Sequence, residues 1–398
     1  MIEVNGKHNS AKIFTDKVEE TAMSQIVELC NQEFTAGSKI RIMPDVHAGK
    51  GCTIGTTMTI TDKVVPNLVG ADIGCGLTVV FLNIDKSEVN FDQLDETIRK
   101  HIPSGQEVRK KKHLYTNRFN DFKDVRAPIR VEKANHSLGT LGNGNHFLEL
   151  NEVSPGKVAL VVHSGSRSFG GQIAKYYQKR AYDAISSIKG EQQRIIQELK
   201  DQGRQQEIEA ALKGIQKPKV KKELAYLEGE DFKNYLHDMK IAQEYANISR
   251  KAMLHDIISN MHWEYKYDRS FDTIHNYIDM DHMVLRKGAI SARKGEEVII
   301  PINMRDGSIL ATGKGNEDWN QSGPHGAGRL MSRTKAKENL NMTDFLDTMD
   351  GVWTSSLGES TLDEAPMAYK PMEAILGNIE DSLIVNQVVK PIYNFKAV

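Results

Sequence analysis

Apolar residues in this chain come in short bursts that stop at turn-forming residues, and this limits the fold more than any other feature. IRIMP (Ile40–Pro44), TVVFLNI (Thr78–Ile84), VALVV (Val158–Val162), VIIPI (Val298–Ile302), SILAT (Ser308–Thr312) and the later LIVNQVV (Leu383–Val389) are the length of strands and too short for buried helices. Helical spacing is found instead in the middle of the chain, at Ile173, Tyr177, Ala181, Ala184 and Ile188, and again at Phe232, Tyr235, Leu236, Met239, Ala242 and Ala246. Between these stretches, from about Gly190 to Lys222, Lys, Arg, Glu and Gln dominate and the run ends in KPKVKK, which reads as an exposed helical element. A further helix is expected directly after His325. Strands and helices fall in blocks without a regular βαβ alternation. The expectation is therefore an α+β fold: one large domain over residues 1–398, with mixed β-sheets, flanking helices and a helical insertion at 171–262.

Composition excludes several classes. With 39% hydrophobic and 26% charged residues over 398 positions and no repeat, the chain is neither disordered, collagenous nor coiled-coil. Its 52 Lys and Arg against 53 Asp and Glu give a formal net charge of -1, so there is no overall basic field to attract nucleic acid. Three cysteines (Cys30, Cys52, Cys75) make no disulfide framework and fit a reducing compartment. The opening MIEVNGKHNS lacks a signal-like apolar stretch, and no 18-residue apolar run occurs that could span a membrane. A cytoplasmic location is the expectation.

Chemistry concentrates where histidine meets glycine. His47 (PDVHAGKG), His146 (GNGNHFLE), His163 (VHSGSR), His275 (IHNY) and His325 (GPHGAGR) sit among Gly, Asn and Ser, which suit close backbone approach to a ligand better than a core. In GADIGCG, Asp72 and Cys75 lie three residues apart in a turn after an apolar strand. Cys75 alone reads equally as a small buried hydrophobe. With His146, His163 and His275, it completes a donor set sufficient for two metal ions, with the thiolate able to bridge. Ligand softness favours zinc, although the irregular spacing is unlike a zinc finger. At GPHGAGRLMSR, Gly326 to Gly328 were placed at a helix N-terminus, with Arg329 and Arg333 one turn apart, giving a phosphate site beside an imidazole that could ligate, act as base or attack phosphorus. No P-loop is present. GKGCTIG has Ile54 where a G-x-G-x-x-G would need its last glycine.

The segments PDVHAGKG, GADIGCG, GNGNHF, VHSGSR, RKGAISAR, HGAGR with SRTKAK, and EAPMAYK, taken in this order, resemble the RtcB-type RNA ligase family. The resemblance runs from Pro44 to Lys396. It implies a GTP- and Mn²⁺-dependent ligase joining an RNA 3′-phosphate or 2′,3′-cyclic phosphate end to a 5′-hydroxyl end, by way of a guanylylated histidine and an RNA-3′-phosphate-GMP intermediate. It further implies Asp72, Cys75, His146, His163 and His275 as ligands of two manganese ions, His325 as the nucleophile that takes GMP, and Asp45 with His47 as groups assisting the opening of a cyclic phosphate. For GTP it implies Asn145, Glu149, Asn303, Ser308, Ala327, Tyr369 and Lys396, and for RNA phosphates Arg167, Arg329 and Arg333. An archease-like activator is a further implied partner. The sequence departs from the family pattern at PINMRDGS (Pro301–Ser308), where Asn303 replaces a serine and Arg305 and Asp306 are added, and at Lys50, where an aromatic is common. Two other readings compete: a dinuclear metal-dependent phosphoesterase acting on RNA ends, and a non-enzymatic RNA-end binder.

Overall fold

A computed structural model describes residues 1–119, 121–213, 221–263 and 267–396. Two large sheets organise the chain. The larger has seven strands, in the spatial order Tyr267–Ile274, Gly76–Asp85, Lys157–Ser164, Phe147–Ser154, Leu383–Lys396, Gly307–Gly313, Glu297–Asn303, all antiparallel to their neighbours. The smaller has six: Ile2–Asn5, Ser10–Ile13, Ile40–His47, Ile54–Thr59, Val284–Lys287, Asn276–Asp279, with one parallel pair, Ser10–Ile13 beside Ile40–His47.

Continuous apolar runs become strands buried on both faces. Along VALVV, Val158, Leu160 and Val162 face a cluster with Leu148, Leu150, Met253 and Ile257, while Ala159 and Val161 face Leu77, Val79, Ile299, Leu310 and Val389. Ile299, Leu310 and Val389 belong to distant strands of the same sheet, so the sheet curls until its inner face packs on itself. The smaller sheet shares its core with Glu20–Cys30, Arg167–Ser186 and Gly229–Asn260.

The span 171–262 divides in two. Helices Arg167–Ser186 and Gly229–Asn260 are core elements, burying Phe169, Tyr177, Tyr235 and Tyr245. The charged portion lies between them and includes Ile188–Asp201 and Ile208–Leu212, whose described side chains are mostly exposed, while Leu224, Ala225 and Leu227 beyond them return to the core. Of KPKVKK, Lys217 to Val220 lie outside the described residues. No helix among the described residues is long and apolar enough to cross a membrane.

The helix expected directly after His325 does not start there. A three-residue strand, Ser322–Pro324, delivers His325 into a loop, and the helix is Arg333–Asn339, capped by Ser332. Two constraints keep the loop open. Gly328 sits at φ +75, and its carbonyl accepts from the Lys370 amide while Arg329 bridges Tyr369.

Candidate active site

Register brings the metal-type donors together. His163 stands opposite Leu77 on one side and Phe147 on the other, so Cys75 and His146, just ahead of those two strands, meet it at one end of the sheet. His275 follows the neighbouring strand, and its amide donates to the Cys75 carbonyl. Cys75 Sγ is 3.4 Å from Nε2 of both His146 and His163. His163 Nε2 is 3.0 Å from His275 Nε2, and His146 Nε2 is 2.9 Å from Asp72 Oδ2. Two donor groups result, Cys75–His163–His275 and Asp72–Cys75–His146, and they share the thiol.

Proton bookkeeping shows what these contacts are for. His146 donates Nδ1–H to the Leu141 carbonyl at 2.7 Å, so Nε2 donates to the Asp72 carboxylate only as the imidazolium and offers a ligand lone pair once a cation displaces that proton. Nδ1 of His163 and His275 have no hydrogen-bond partner among the described residues, and their Nε2 atoms face one another. Lone pairs converging on lone pairs fit a cation between them. Burial, reinforced by neighbouring imidazoles, holds His163 and His275 well below the usual histidine range, so both are neutral and ready to ligate. Burial and Asp72 push the Cys75 thiol well up, so thiolate there requires a bound cation. Burial raises Asp72, but the hydrogen bond and charge of His146, with Cys75 and Arg167, bring it below the ordinary carboxylate value.

His325 lies against this cluster, its ring centroid 4.8 Å from that of His275. Its Nδ1 is 2.6 Å from Oδ2 of Asp45, a fully buried carboxylate that also accepts the amides of His325 (3.0 Å) and Gly326 (3.2 Å). A carboxylate on Nδ1 fixes the proton there and leaves Nε2 as the free lone pair. His47 also lines the site, but its Nδ1 turns to the Asp45 carbonyl at 2.9 Å, and burial lowers its pKa to about 4. His325 opens into a cleft of about 1390 Å³ whose wall includes Asn145, Glu149, Ala327, Tyr369 and Lys396.

A family profile described as tRNA-splicing ligase RtcB matches residues 25–136 and 126–397. The RNA-splicing ligase RtcB of Escherichia coli strain K12 is 30% identical over 417 residues, covering 96% of this chain and 94% of that protein. The tRNA-splicing ligases RtcB of Methanococcus maripaludis and Aeropyrum pernix are each 26% identical, covering 87% and 84% of this chain and 85% and 82% of their own lengths. The chain belongs to the RtcB family.

Within this RtcB fold, the remaining expected residues occupy different settings. Glu149 is buried and accepts from Asn151 (2.9 Å) and Asn394 (2.7 Å); burial raises its pKa to about 7. The amide oxygens of Asn151 and Asn394 have no partner among the described residues. Asn394 lines the cleft beside Glu149, so that wall is rich in acceptors. Lys396 Nζ is 2.6 Å from Glu364 and 3.5 Å from the Asn145 carbonyl. Tyr369 donates to Glu364 at 2.7 Å. Asn303 reaches the cleft but spends its carbonyl on the amides of Arg305 and Asp306 and one N–H on the Asp306 carboxylate, which makes PINMRDGS a self-closed turn. Ser308 is fully buried and does not line the cleft.

The three arginines are largely committed to protein partners. Arg329 bonds Glu364, Tyr369 and the Met331 and Asp363 carbonyls, and Arg333 pairs with Asp363 and Glu364. Of the three amides expected to make an anion site, Gly326 to Gly328, that of Gly326 is taken by Asp45. Arg167, at φ 55, donates to the Gly105 carbonyl and Thr140 behind Asp72, away from the cleft wall.

Four contributors were not singled out from sequence. Glu364 lies inside EAPMAYK and collects Arg329, Arg333, Lys396 and Tyr369; burial raises its pKa, but Lys396 and Arg333 bring it down to about 2. Lys370, the last residue of that motif, donates Nζ to the Pro44 and Val46 carbonyls on either side of Asp45. Gly288 in RKGAISAR sits at φ +58, where a Cβ would be 2.2 Å from Ile54 and 3.1 Å from the His325 ring. Arg250, fully buried in its helix, donates to the Gly74 and Ser164 carbonyls and to Thr78, tying together the strand ends that carry Cys75 and His163. A charged residue in a helical pattern gave no hint of that burial.

Proposed function

We propose that this protein is an RNA ligase that uses GTP to join an RNA 3′-phosphate or 2′,3′-cyclic phosphate end to a 5′-hydroxyl end. The observation that carries the reading is the buried Asp45–His325 pair beside a metal-type donor set. A dinuclear hydrolase has no need of a histidine oriented in this way. Asp45 holds the Nδ1 proton, so the His325 Nε2 lone pair attacks the α-phosphorus of GTP; a P–N bond forms, and pyrophosphate leaves with the electron pair of the broken P–O bond. An oxygen of the RNA 3′-phosphate then displaces His325 from that phosphorus and restores the imidazole lone pair. The 5′-hydroxyl next attacks the activated 3′-phosphate, loses its proton, and expels GMP. Asp45 and His325 thus recover their starting states.

Asp72, Cys75, His146, His163 and His275 would hold two divalent ions, which when bound neutralise phosphate charge and polarise the phosphorus centres. Manganese is the proposed pair, because triphosphate chemistry requires exchangeable oxygen positions, while the soft donors also accept zinc. Glu149, with the acceptor-rich wall around it, receives the N–H edge of guanine, which favours GTP over ATP.

The test is incubation with α-labelled GTP and Mn²⁺, followed by denaturation. Acid-labile label on the chain, lost in His325→Ala, is the expected result. Absence of label from the native chain, or its persistence in the variant, refutes the assignment. Supplying RNA with 3′-phosphate and 5′-hydroxyl ends should then give joined strands; release of phosphate without joining would favour a phosphoesterase.

A further inference from the structure

The cleft is larger than one small-molecule ligand needs, since such pockets run to about 1000 Å³ and this one reaches about 1390 Å³. The excess includes an arm that leaves the site at Ala71, next to Asp72, and follows one face of the Arg167–Ser186 helix: Gly171, Ala174, Lys175, Gln178, Lys179, Tyr182. Small residues make its floor, Gly70 and Ala71 on one side and Gly171 and Ala174 on the other.

Gln178 fixes the walls. Its carbonyl accepts the Asn67 amide at 2.8 Å, and its NH₂ donates to the Lys222 (2.7 Å) and Ala225 (3.0 Å) carbonyls, so three segments are pinned in one preformed trough. Along the rim stand Lys50, Lys175, Lys179 and Lys222, all exposed. Among the described residues Lys50 and Lys175 have no acidic partner, and Lys222 lies over the Tyr182 ring at 5.9 Å. Lys179 pairs with Asp183, an exposed contact that a stronger anion displaces at little cost. The other carboxylates on the cleft wall are Glu223, Glu19, which accepts the Ala48 amide, and the buried Glu149 and Glu364.

We propose that this arm is the track for single-stranded RNA leading to the reacting end, with the lysines on successive phosphates and Tyr182 as a stacking platform at the outer end. This inference rests on the RNA-end reading above and adds where the strand lies. From Gly171 to Tyr182 the helix advances about 16 Å, enough for at most about five phosphates at stacked-strand spacing. The charged tail noted in the sequence then has a use at Lys222.

The test is equilibrium binding of two labelled oligouridylates, one ending in a 3′-phosphate and one beginning with a 5′-hydroxyl, to the full chain and to Lys175→Glu/Lys222→Glu. Losing two phosphate contacts should weaken binding about ten-fold at low salt and make the log-log salt slope shallower by about 1.4. The oligonucleotide affected identifies the strand that uses the arm, and Lys175→Arg/Lys222→Arg should bind as the native chain does. Binding within about two-fold of native for both oligonucleotides, with an unchanged slope, overturns the proposal. Incorporation of GMP label by the charge-reversed variant checks that the site is intact. A native chain that binds RNA through these lysines but never joins strands would remove the ligase reading and leave the track standing.

Discussion

Replacing Asp45 with asparagine tests the central pair most directly, because the structure determines which way the new amide must face. Oδ2 of Asp45 is shared by three donors: His325 Nδ1 and the backbone amides of His325 and Gly326. An asparagine NH₂ in that position would oppose two backbone N–H groups that cannot change, so the carbonyl must take the place of Oδ2. Nδ1–H then still donates, Nε2 still carries the lone pair, and only the charge is lost. Converting a charge-assisted hydrogen bond, worth about 1.5–3 kcal/mol, to a neutral one, worth about 0.5–1.5, forfeits about 1–1.5 kcal/mol, equivalent to about 5–13-fold in rate. This is well short of the ~10⁴-fold loss seen in a serine protease when the equivalent asparagine forces the wrong tautomer. The assay is single-turnover GMP transfer from labelled GTP to the chain, with thermal melting as the control for folding. A variant within about three-fold of the native rate would refute the role of Asp45 charge, and a loss near 10⁴-fold would refute the argument that the backbone amides fix the amide orientation.

Other perturbations read other parts of the site. Glu364→Gln leaves Lys396, Arg329 and Arg333 without their shared buried partner and should cost about 3–5 kcal/mol by denaturant unfolding. Because the Glu364 pKa is lowered to about 2, its contribution is present above about 4.5 and is lost as pH falls through about 2, so the variant's melting temperature should fall less over that window. Glu149 has the opposite sign. Raised to about 7, it contributes stability that is present below about 4.5 and lost as pH rises through about 7; Glu149→Gln should remove that loss of about 3 kcal/mol and weaken discrimination between GTP and ATP. In Gly165→Ala the new Cβ would lie 2.3 Å from Asp72 Oδ1, so Mn²⁺ titration calorimetry should show one of two sites weakened about 10–100-fold and the other retained; two native-like sites would exclude Asp72 as a ligand.

What could be read along the sequence was whatever is local. VALVV running into His163, and Asp72 three residues before Cys75, report their own strand and turn; the structure keeps both, although the segment leading into the Asp72 turn is the short helix Pro66–Val69 and not the expected apolar strand. The Asp45–His325 pair joins residues 280 apart through a tertiary contact that no periodicity records, and Asp45 had been connected instead with opening a cyclic phosphate. The helix placed after His325 failed because a left-handed glycine and a strand-like bridge to Tyr369 outweigh the polar pattern that follows. The span 171–262 reads as one inserted helical segment because Arg250, Asp238, Tyr177 and Tyr245 carry polar atoms into the core and satisfy them there, which sequence polarity cannot distinguish from exposure.

The near-zero net charge takes on a different meaning once the partners are known. Arg329, Arg333 and Lys396 converge on the site, yet Glu364 and Asp363 neutralise them within hydrogen-bond distance, so they shape the cleft wall more than they project a field. Among the described residues, single lysines on the cleft rim, such as Lys50 and Lys175, have no acidic partner and are free to meet an incoming phosphate. On the proposed track, RNA is held by a few phosphates next to its end and gains little from the rest of the strand. Its affinity should therefore level off within a handful of nucleotides, and its dependence on salt should stay shallow however long the RNA becomes.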